Sequence, residues 1–311
     1  IDISTIKKIS KNTYQLSAGI GNIGFSMGQK LQGKSTFIQI YGNWQNSYLL
    51  KKINTKSLPD MKSYDTKDVG INFRYTLNDK MYFNSYNYFM SENYNGTSAM
   101  LAYQGNLKSN GLRYFSVNNF VIFFKKGMYK INHGYNYEKK EVLFGNNILN
   151  SKDYSHYASI DYKTDITKKI TFQTGVSLDN QNTLVKNKVP LYYYAMNKES
   201  PTYNQDTIVS NYILEPYFYV NWDIHKRVSM SIGARTNIPI NKQKQYTSFQ
   251  YSLKYVPANN HTLILSAGHY HNYTQPDYYN LKYRLLKSKQ VSLDYIYENR
   301  QTKIQSALYY K

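Results

Sequence analysis

The stretch that decides the fold spans residues 250–276 and reads "QYSLKYVPANNHTLILSAGHYHNYTQP". Residues 251–255 alternate between aromatic or apolar and polar side chains, and residues 261–273 form a second run with strand character. Between the two runs, Pro257–Asn260 has the composition of a turn. Period-two alternation on either side of a turn predicts a β-hairpin. The hairpin alone leaves open whether it belongs to a soluble β-domain or to a barrel wall that faces lipid.

The same pattern recurs along the chain. Residues 158–178, 218–235 and 291–310 each contain two alternating runs around a turn. No segment has the spacing of apolar side chains that marks an amphipathic helix. We therefore predict an all-β, antiparallel chain of about 14 strands, each about ten to thirteen residues long. The predicted short turns lie near Gln32-Gly33, Asn78-Asp79, Lys126-Gly127, Thr167, Lys226, Asn259 and Arg300.

Strand length and loop asymmetry favour a transmembrane β-barrel. Strands of globular proteins usually have about five or six residues, whereas a tilted membrane-spanning strand needs about nine to eleven. Short turns that alternate with long loops are typical of outer-membrane barrels. The longer polar connections are predicted at residues 49–66, 92–111, 139–153, 181–207, 238–244 and 274–287.

Composition narrows the set of partners. The chain has 311 residues, 39 Lys and Arg against 19 Asp and Glu, and 36 tyrosines. A net charge of +20 favours anionic partners. Nucleic acid is not expected among them, because there is no basic helix or RNA-binding aromatic motif. Tyrosine suits a surface that is wet on one side and apolar on the other. Cysteine is absent, which excludes disulfides and cysteine-based zinc sites.

Candidate ligand contacts lie in two places. The first is the loop at 181–207, where three consecutive tyrosines accompany two prolines. The second is the end of the strand that runs through residues 261–273. Aromatic residues on loops often contact ligands, although an ordinary surface loop and polar residues near a strand end remain the alternatives. The candidate residues are Tyr192, Tyr193, Tyr194, His269, Tyr270, His271 and Tyr273.

The sequence predicts neither a metal site, nor a cofactor, nor an enzyme. His269 and His271 project from one face of their strand, and two imidazoles can hold a metal, but no third ligand is evident. Ser266 and Asp294 can be combined with His269 into a hydrolytic triad on paper. The chain has no nucleophile elbow, and hydroxyl residues are common on any wall that faces water.

Five charged residues occupy strand positions that alternate with the apolar ones and therefore lie on the polar face. A Lys or Arg on the lipid face at mid-depth costs roughly 2–4 kcal/mol. We therefore predict that these five residues face the lumen, where they contact a plug, contact a polar substrate or simply hydrate the wall. They are Asp161, Lys163, Arg235, Lys254 and Asp294.

Three stretches resemble the TonB-dependent receptors of Gram-negative outer membranes. Residues 1–44, which include "NTYQLSAGIGNIGFSMGQ", resemble the exit from that family's plug followed by a first barrel hairpin. Residues 214–276 resemble a strand that ends in an Arg and is followed by a hairpin with a Gly-aromatic end and a Pro. Residues 285–311 resemble a segment in which a Lys/Ser pair opens a strand and an aromatic-rich strand closes the hairpin.

The resemblance implies one receptor β-barrel segment over residues 1–311, with residues 1–11 as the junction from the plug. The family's barrel has 22 strands, so the chain resembles an open, incomplete piece that lacks the plug and the final strands. The implied location is the cell outer membrane. The implied partners are outer-membrane lipid and lipopolysaccharide, the receptor's own plug and, through the plug, the TonB complex, together with a surface lipoprotein. The Tyr-, Asn- and Lys-rich style suggests a Bacteroidetes-type member.

The implied function is active uptake of a large scarce ligand such as an iron chelate, a cobalamin or an oligosaccharide. Two other functions are kept open. A complete passive porin predicts a closed sheet with residues 14–27 beside residues 303–310. A soluble or cell-surface β-protein that binds glycans through tyrosine predicts a two-sheet core with polar outer faces.

Overall fold

The computed structural model describes residues 11–31, 36–54, 56, 58–100, 103–192, 196–240, 244–274 and 281–311. These residues form 15 strands and one short helix. The elements in chain order are β1 (Thr13–Gly19), β2 (Asn22–Lys30), β3 (Phe37–Asn46), α1 (Tyr48–Ile53), β4 (Met61–Asn78), β5 (Met81–Met100), β6 (Tyr103–Phe124), β7 (Gly127–Phe144), β8 (Asn147–Asp165), β9 (Ile170–Pro190), β10 (Thr202–His225), β11 (Val228–Pro239), β12 (Tyr246–Ala258), β13 (His261–Tyr273), β14 (Leu285–Glu298) and β15 (Lys303–Tyr310).

All 15 strands belong to one antiparallel sheet in which each strand pairs with its neighbours in the sequence. Strands β1 and β15 are the two edges, and the described residues do not pair them with each other. The closed sheet expected of a porin and the two-sheet core expected of a soluble glycan-binding protein are therefore not observed. The count is 15 strands and not 14, because residues 14–27 form a hairpin with its turn at Ile20 and Gly21.

The short turns are confirmed at six of the seven predicted places. They join β4 to β5, β6 to β7, β8 to β9, β10 to β11, β12 to β13 and β14 to β15. The seventh, Gln32-Gly33, lies outside the described residues. Because the six turns connect alternate pairs of antiparallel strands, they all lie at one end of the sheet, here called the short-turn end. The opposite end is called the extended end.

Two of the predicted long loops, at 92–111 and 139–153, are wrong. Strands β5 and β6 run through most of the first range, and β7 and β8 are separated only by Gly145 and Asn146 in the second. Gly145 has a φ of 62°, in the left-handed region that glycine adopts without steric cost. A two-residue turn of this kind lets the hairpin continue where the sequence predicted irregular chain.

The loop predicted at 181–207 is also shorter than expected. Strand β9 continues to Pro190 and β10 begins at Thr202, so that only residues 191–201 connect them. In this part of the hairpin both faces are polar, with Gln181 opposite Asn211 and Asn182 opposite Ser210. The backbone ladder persists while the apolar–polar alternation disappears, so a sequence pattern based on alternation cannot detect the strand.

The register separates the side chains into two faces. Leu253, Leu265 and Leu293 lie opposite one another on β12, β13 and β14, and the neighbouring row is Ser252, Ser266 and Ser292. Strictly antiparallel pairing keeps paired residues on the same face. The apolar row and the serine row therefore belong to opposite faces of the sheet.

The polar face is the concave one. Leu253, Leu265 and Leu293 are 41%, 45% and 44% exposed, whereas Ser159 and Ser177 on the polar face are 3% and 5% exposed. Curvature crowds side chains on the concave side and spreads them on the convex side. The polar face is therefore called the inner face and the apolar face the outer face. A broad exposed apolar surface marks contact with a membrane or with another protein.

The alternation is imperfect on β5 and β6. By register their outer face carries Ser85, Asn87, Ser116 and Asn118. These polar groups are partly satisfied by one another, since Asn87 Nδ2 donates to Ser85 Oγ and Asn118 Nδ2 donates to Ser116 Oγ, each at 3.0 Å. The outer face is thus apolar over most strands but contains one hydrogen-bonded polar stripe.

The only described helix, α1, has six residues and lies between β3 and β4. None of the described helices has the length and apolar character needed to cross a bilayer.

The two faces predict losses of stability of different size when the same charge is introduced. Replacement of Leu253 by Lys places an ammonium group on the outer face and should lower the free energy of unfolding from a bilayer by roughly 2–4 kcal/mol. Replacement of the adjacent Ser252 by Lys, on the inner face, should have a much smaller effect. Denaturant titration of the protein in liposomes measures both values, and equal losses would contradict the assignment of faces.

Candidate functional site

A hydrogen-bonded network centred on Asp161 lies on the inner face. Its carboxylate accepts hydrogen bonds from Asn132 Nδ2 at 2.6 Å, from Ser159 Oγ at 3.2 Å and from the hydroxyl of Tyr217. The three donors come from β7, β8 and β10, and so the network joins both sides of β9. Asp161 thus crosslinks the inner wall and presents a carboxylate fixed by donors on all sides.

A second network, centred on Glu215, continues the first toward β12. Arg235 Nη1 lies 3.6 Å from Glu215 Oε2, and the Arg235 guanidinium lies 5.7 Å from the centre of the Tyr217 ring. Asn237 Nδ2 and the Tyr246 hydroxyl both donate to Glu215 Oε1, at 3.2 and 3.5 Å. Tyr217 therefore links the carboxylate at 161 with the ion pair at 215 and 235, and the inner face of β7–β12 carries one continuous polar band.

The other charged residues predicted for the lumen also lie on the inner face. Asp294 is on the serine row's face of β14 and accepts a hydrogen bond from Ser292 Oγ at 3.3 Å. Lys254 pairs in register with Ser229, and Lys163 pairs with Gln173. These three residues are spread over β8, β12 and β14 and are not gathered into one site.

The predicted His–Tyr cluster forms at the extended end of β13. The rings of His269 and His271 have their centres 4.3 Å apart, and Tyr246 stacks on His271 at 4.8 Å. Ser248 Oγ lies 3.2 Å from Nδ1 of His271. Tyr273 contacts the Tyr246 ring at 5.8 Å. By register His269 lies opposite Phe249 and Lys289 and has the parity of Leu265, on the outer face. The regular β12–β13 register stops at that pair, and His271 then packs on Ser248 and Tyr246 of β12.

Tyr270 lies apart from that cluster, over the small residues of the inner face. A Cβ atom at Gly268 would lie 2.4–2.5 Å from its ring. The ring borders a groove of about 220 Å³ that Tyr219, Ser231 and Gln250 also line. Because Gly268 has no side chain, the Tyr270 ring can lie against the wall at this position.

Residues 281–285, which follow β13, reach the inner wall as far as β10. Tyr283 and Leu285 pack against a buried cluster of Ile213, Tyr246 and Tyr273. Burial and, to a smaller extent, the nearby carboxylates of Asp153 and Asp179 raise the pKa of the Tyr283 hydroxyl to about 12, and Thr183 opposes the shift. The segment at 281–285 therefore folds inward and covers the polar wall of β8–β10 at the extended end. We call it the inner strap.

The tyrosine run is only partly described. Tyr192 follows β9 at the extended end and is 51% exposed. Tyr193 and Tyr194 lie outside the described residues.

The described residues contain no group of three or more His, Asp or Glu arranged to hold a metal. Ser266 lies opposite Ser292 in the ladder, and the Asp294 carboxylate is paired with Ser292 rather than with a histidine. The arrangement around His269 and His271 is one of packed aromatic rings.

The sequence did not reveal several inner-face residues that form the networks and the inner strap described above. Glu215 lies on the polar parity of β10, and its strand pattern could have revealed it. Tyr217 and Tyr246 are aromatic residues on a polar face, and Tyr283 lies in a predicted loop, so no local pattern distinguishes them. Tyr41 on β3 and Tyr86 on β5 are also aromatic residues that no local pattern distinguishes. Their hydroxyl groups hydrogen-bond to each other.

No protein-family model and no curated protein sequence matches the chain. Solved structures do. The ferric yersiniabactin uptake receptor FyuA from Yersinia pestis matches with a TM-score of 0.75 and 10% identity, over 98% of this chain and 55% of that one. The alcaligin outer membrane receptor FauA from Bordetella pertussis matches at 0.70 and 9%, over 98% and 52%. The copper transporter OprC matches at 0.65 and 13%, over 96% and 52%.

These matches establish the fold. The predicted class, an antiparallel wall of the receptor β-barrel type, is confirmed. The chain spans about half the length of the structures it matches. By name, the neighbours described here are uptake receptors and a transporter. The chain thus has the fold of an outer-membrane uptake-receptor barrel wall.

The Asp161 network predicts an unequal effect of two similar substitutions. Asp161→Ala removes the acceptor of three donors and should cost about 1–3 kcal/mol of unfolding free energy. Asp294→Ala, which removes the acceptor of one serine, should cost less than about 1 kcal/mol. Thermal or denaturant unfolding in detergent measures the pair, and an equal effect would show that the network does not brace the wall.

The inner strap predicts a local effect of one ring. Tyr283→Ala should lower the opening free energy of residues 281–285 by about 1–3 kcal/mol, because the ring's apolar contacts with the Ile213 cluster are lost. Amide hydrogen exchange of that segment should quicken accordingly. Tyr192→Ala is the matched control at the same end of the sheet and should leave the exchange of the strap unchanged. Equal exchange in both variants would mean that Tyr283 does not hold the strap.

Proposed function

We propose that this chain forms part of the wall of a TonB-dependent outer-membrane receptor for active uptake of a large scarce ligand. The observation that carries the proposal is a single curved 15-stranded sheet, polar inside and apolar outside, which matches FyuA over 98% of its length. In this proposal residues 1–311 are barrel segment and residues 1–11 are the junction from the plug. The protein lies in the outer membrane, with the short turns toward the periplasm.

The inner face suits a plug as its partner. A plug domain needs hydrogen-bonding groups on the wall that are held in fixed positions. These groups must also bind the plug's surface only weakly. The Asp161 and Glu215 networks provide a braced band, and Lys163, Lys254 and Asp294 add charges beside it. In this proposal the TonB complex acts on the plug, and the wall stays rigid because its polar groups are already paired to one another.

The extended end suits the ligand. Its candidate contacts are an exposed tyrosine, a packed group of imidazole and phenol rings and, apart from that group, Tyr270 beside a groove that serine side chains help to line. Phenols and imidazoles combine apolar area with hydrogen-bonding tips, which suits iron chelates, cobalamins and oligosaccharides. The proposed contacts are Tyr192, Tyr193, Tyr194, His269, Tyr270, His271 and Tyr273. A surface lipoprotein over this end, and a Bacteroidetes-type origin, stay predictions from the resemblance.

The alternative, a passive porin, requires a different pairing of the sheet's edge strands. A porin of this size would pair its first and last strands, because a long free edge favours aggregation. The described β1 and β15 are both exposed along their whole length. The match to an uptake receptor over 98% of this chain supports the receptor proposal.

Energy-dependent uptake tests the proposal. Cells that carry the gene should accumulate a labelled ferric chelate, cobalamin or oligosaccharide, and an uncoupler of the proton-motive force should abolish the accumulation. Each ligand class is tested separately, with a strain lacking the gene as the control. Flux that continues after uncoupling, at a rate proportional to concentration, would support the porin and reject the receptor.

A further inference from the structure

Four neighbouring strands carry polar side chains on the outer face of the sheet, within its apolar band. On β5 and β6, Asn87 pairs with Ser116 and Ser85 pairs with Asn118. The row that contains Asn118 continues to His133 on β7. Strand β8 contributes a second histidine, one row nearer the extended end. We call this set the polar patch; its members are Ser85, Asn87, Ser116, Asn118, His133 and His156.

Apolar and aromatic residues lie on both sides of the polar patch along the strands. Phe83 pairs with Phe120 between the patch and the short turns, and Phe89 pairs with Tyr114 toward the extended end. On β7, Ile131 precedes the patch and is 44% exposed. All five residues share the outer face with the patch, because side chains on one face recur at every second position. The patch therefore lies inside the apolar band, where a bilayer offers its polar groups neither water nor headgroups.

The chain satisfies the amide groups of the polar patch only in part. Each asparagine donates one amide hydrogen to a serine, Asn87 to Ser85 and Asn118 to Ser116, both at 3.0 Å. The Tyr114 hydroxyl donates to the carbonyl oxygen of Asn87 at 3.0 Å. A side-chain amide has two donor hydrogens and an acceptor oxygen. The second hydrogen of each amide and the carbonyl oxygen of Asn118 thus have no partner among the described residues.

The two histidines of the polar patch are exposed and make ring contacts only. The ring centres of His133 and His156 lie 6.4 Å apart, and the Tyr135 ring lies 4.7 Å from that of His156. In the part of the chain that the structure describes, neither imidazole has a hydrogen bond. A neutral imidazole carries one N–H donor and one nitrogen acceptor, and both are costly to leave unpaired in an apolar medium. The patch therefore requires a polar partner within the membrane.

The chemistry of the polar patch is complementary to itself. Its six side chains include no carboxylate and no ammonium group, and amides, hydroxyls and imidazoles all both donate and accept. Donors of one copy can meet acceptors of another across a two-fold axis, where both subunits use the same surface. A charged partner surface would instead leave its charges buried and unpaired. Four strands span about 14 Å at the usual strand spacing, a width that suits the contact of two convex walls.

We propose that a second copy of this chain docks on the polar patch, so that the protein forms a two-fold dimer within the membrane. The amides and imidazoles hydrogen-bond across the interface, and the surrounding phenylalanines supply its apolar contacts. This inference rests on the proposed function in one respect, namely that the outer face lies in a membrane.

The first test measures association of the purified full chain in liposomes. The chain has no cysteine, so Lys168→Cys at the short-turn end provides a single site for donor and acceptor dyes. Energy transfer is followed as the protein-to-lipid ratio is lowered. The patch variant is Asn118→Leu with His133→Leu. Its matched control is Thr236→Leu with Thr247→Leu, which removes two outer-face hydroxyl groups of β11 and β12 that lie 3.2 Å apart.

We expect the patch variant to dissociate at a protein-to-lipid ratio about ten- to hundred-fold higher than the parent, because each lost polar contact occurs twice across the axis. The control variant should dissociate at the same ratio as the parent. Unfolding midpoints check that both variants remain folded. A parent that is monomeric at every ratio, or a patch variant that associates as well as the parent, would overturn the proposal. A partner other than a second copy, bound at the patch in purified membranes, would also overturn it.

The second test locates the interface without altering the polar patch. Ala158 pairs with His133 on the outer face, and Ala234 lies on the outer face of β11. Spin labels are attached to Ala158→Cys or, as the matched control, to Ala234→Cys, and the distance between copies is measured by pulsed electron resonance. The labels at position 158 should be the closer pair. Labels that are closer at position 234 would place the interface elsewhere and reject the proposal.

The outcome is separable from that of the uptake test. Association is measured without a transported ligand or an energised membrane, so a protein that fails in uptake can still form the dimer. Failure to insert into liposomes would reject both proposals, whereas insertion as a monomer would reject only the dimer.

Discussion

Backbone pairing between consecutive strands is the constraint on which the rest of this structure depends. A bilayer offers no water to satisfy peptide groups, so each strand that crosses it must pair on both sides. Here every strand from β2 to β14 is paired with the strand before it and the strand after it. All other features are consequences of that ladder, because it sets which residues are opposite and which face they share.

The ladder also explains how the protein can extend beyond the apolar band. Pairing of backbone groups does not depend on side chains, so β9 and β10 continue through a stretch that is polar on both faces. The inner strap lies over the inner face of these extended strands, where Tyr283 is close to Asp179 and Thr183 of β9.

The inner wall is braced mainly by groups that are polar and shared between strands. Tyr217 joins Asp161 to the Arg235–Glu215 pair, and Tyr246 joins that pair to the histidines of β13. A wall held in this way keeps its donors and acceptors in fixed positions. Side chains fixed in this way lose little freedom when another surface binds them.

The sequence by itself determined that the chain is an antiparallel β-structure with short turns at Asn78-Asp79, Thr167 and Asn259. The signal is the alternation of residues 251–255 and its repeats, and a period of two residues requires only local sequence. The same reasoning placed a loop at 92–111, where polar residues on both faces hide the strands, and another at 139–153, where only a two-residue turn at Gly145 and Asn146 joins them. Only the tertiary structure decided that Tyr283 meets the wall of β9 and β10, that His271 packs on Tyr246, and that Tyr217 joins Asp161 to the Arg235–Glu215 pair. Those contacts depend on the register and the curvature of the sheet, which join residues far apart in the chain and leave no periodic trace in the sequence.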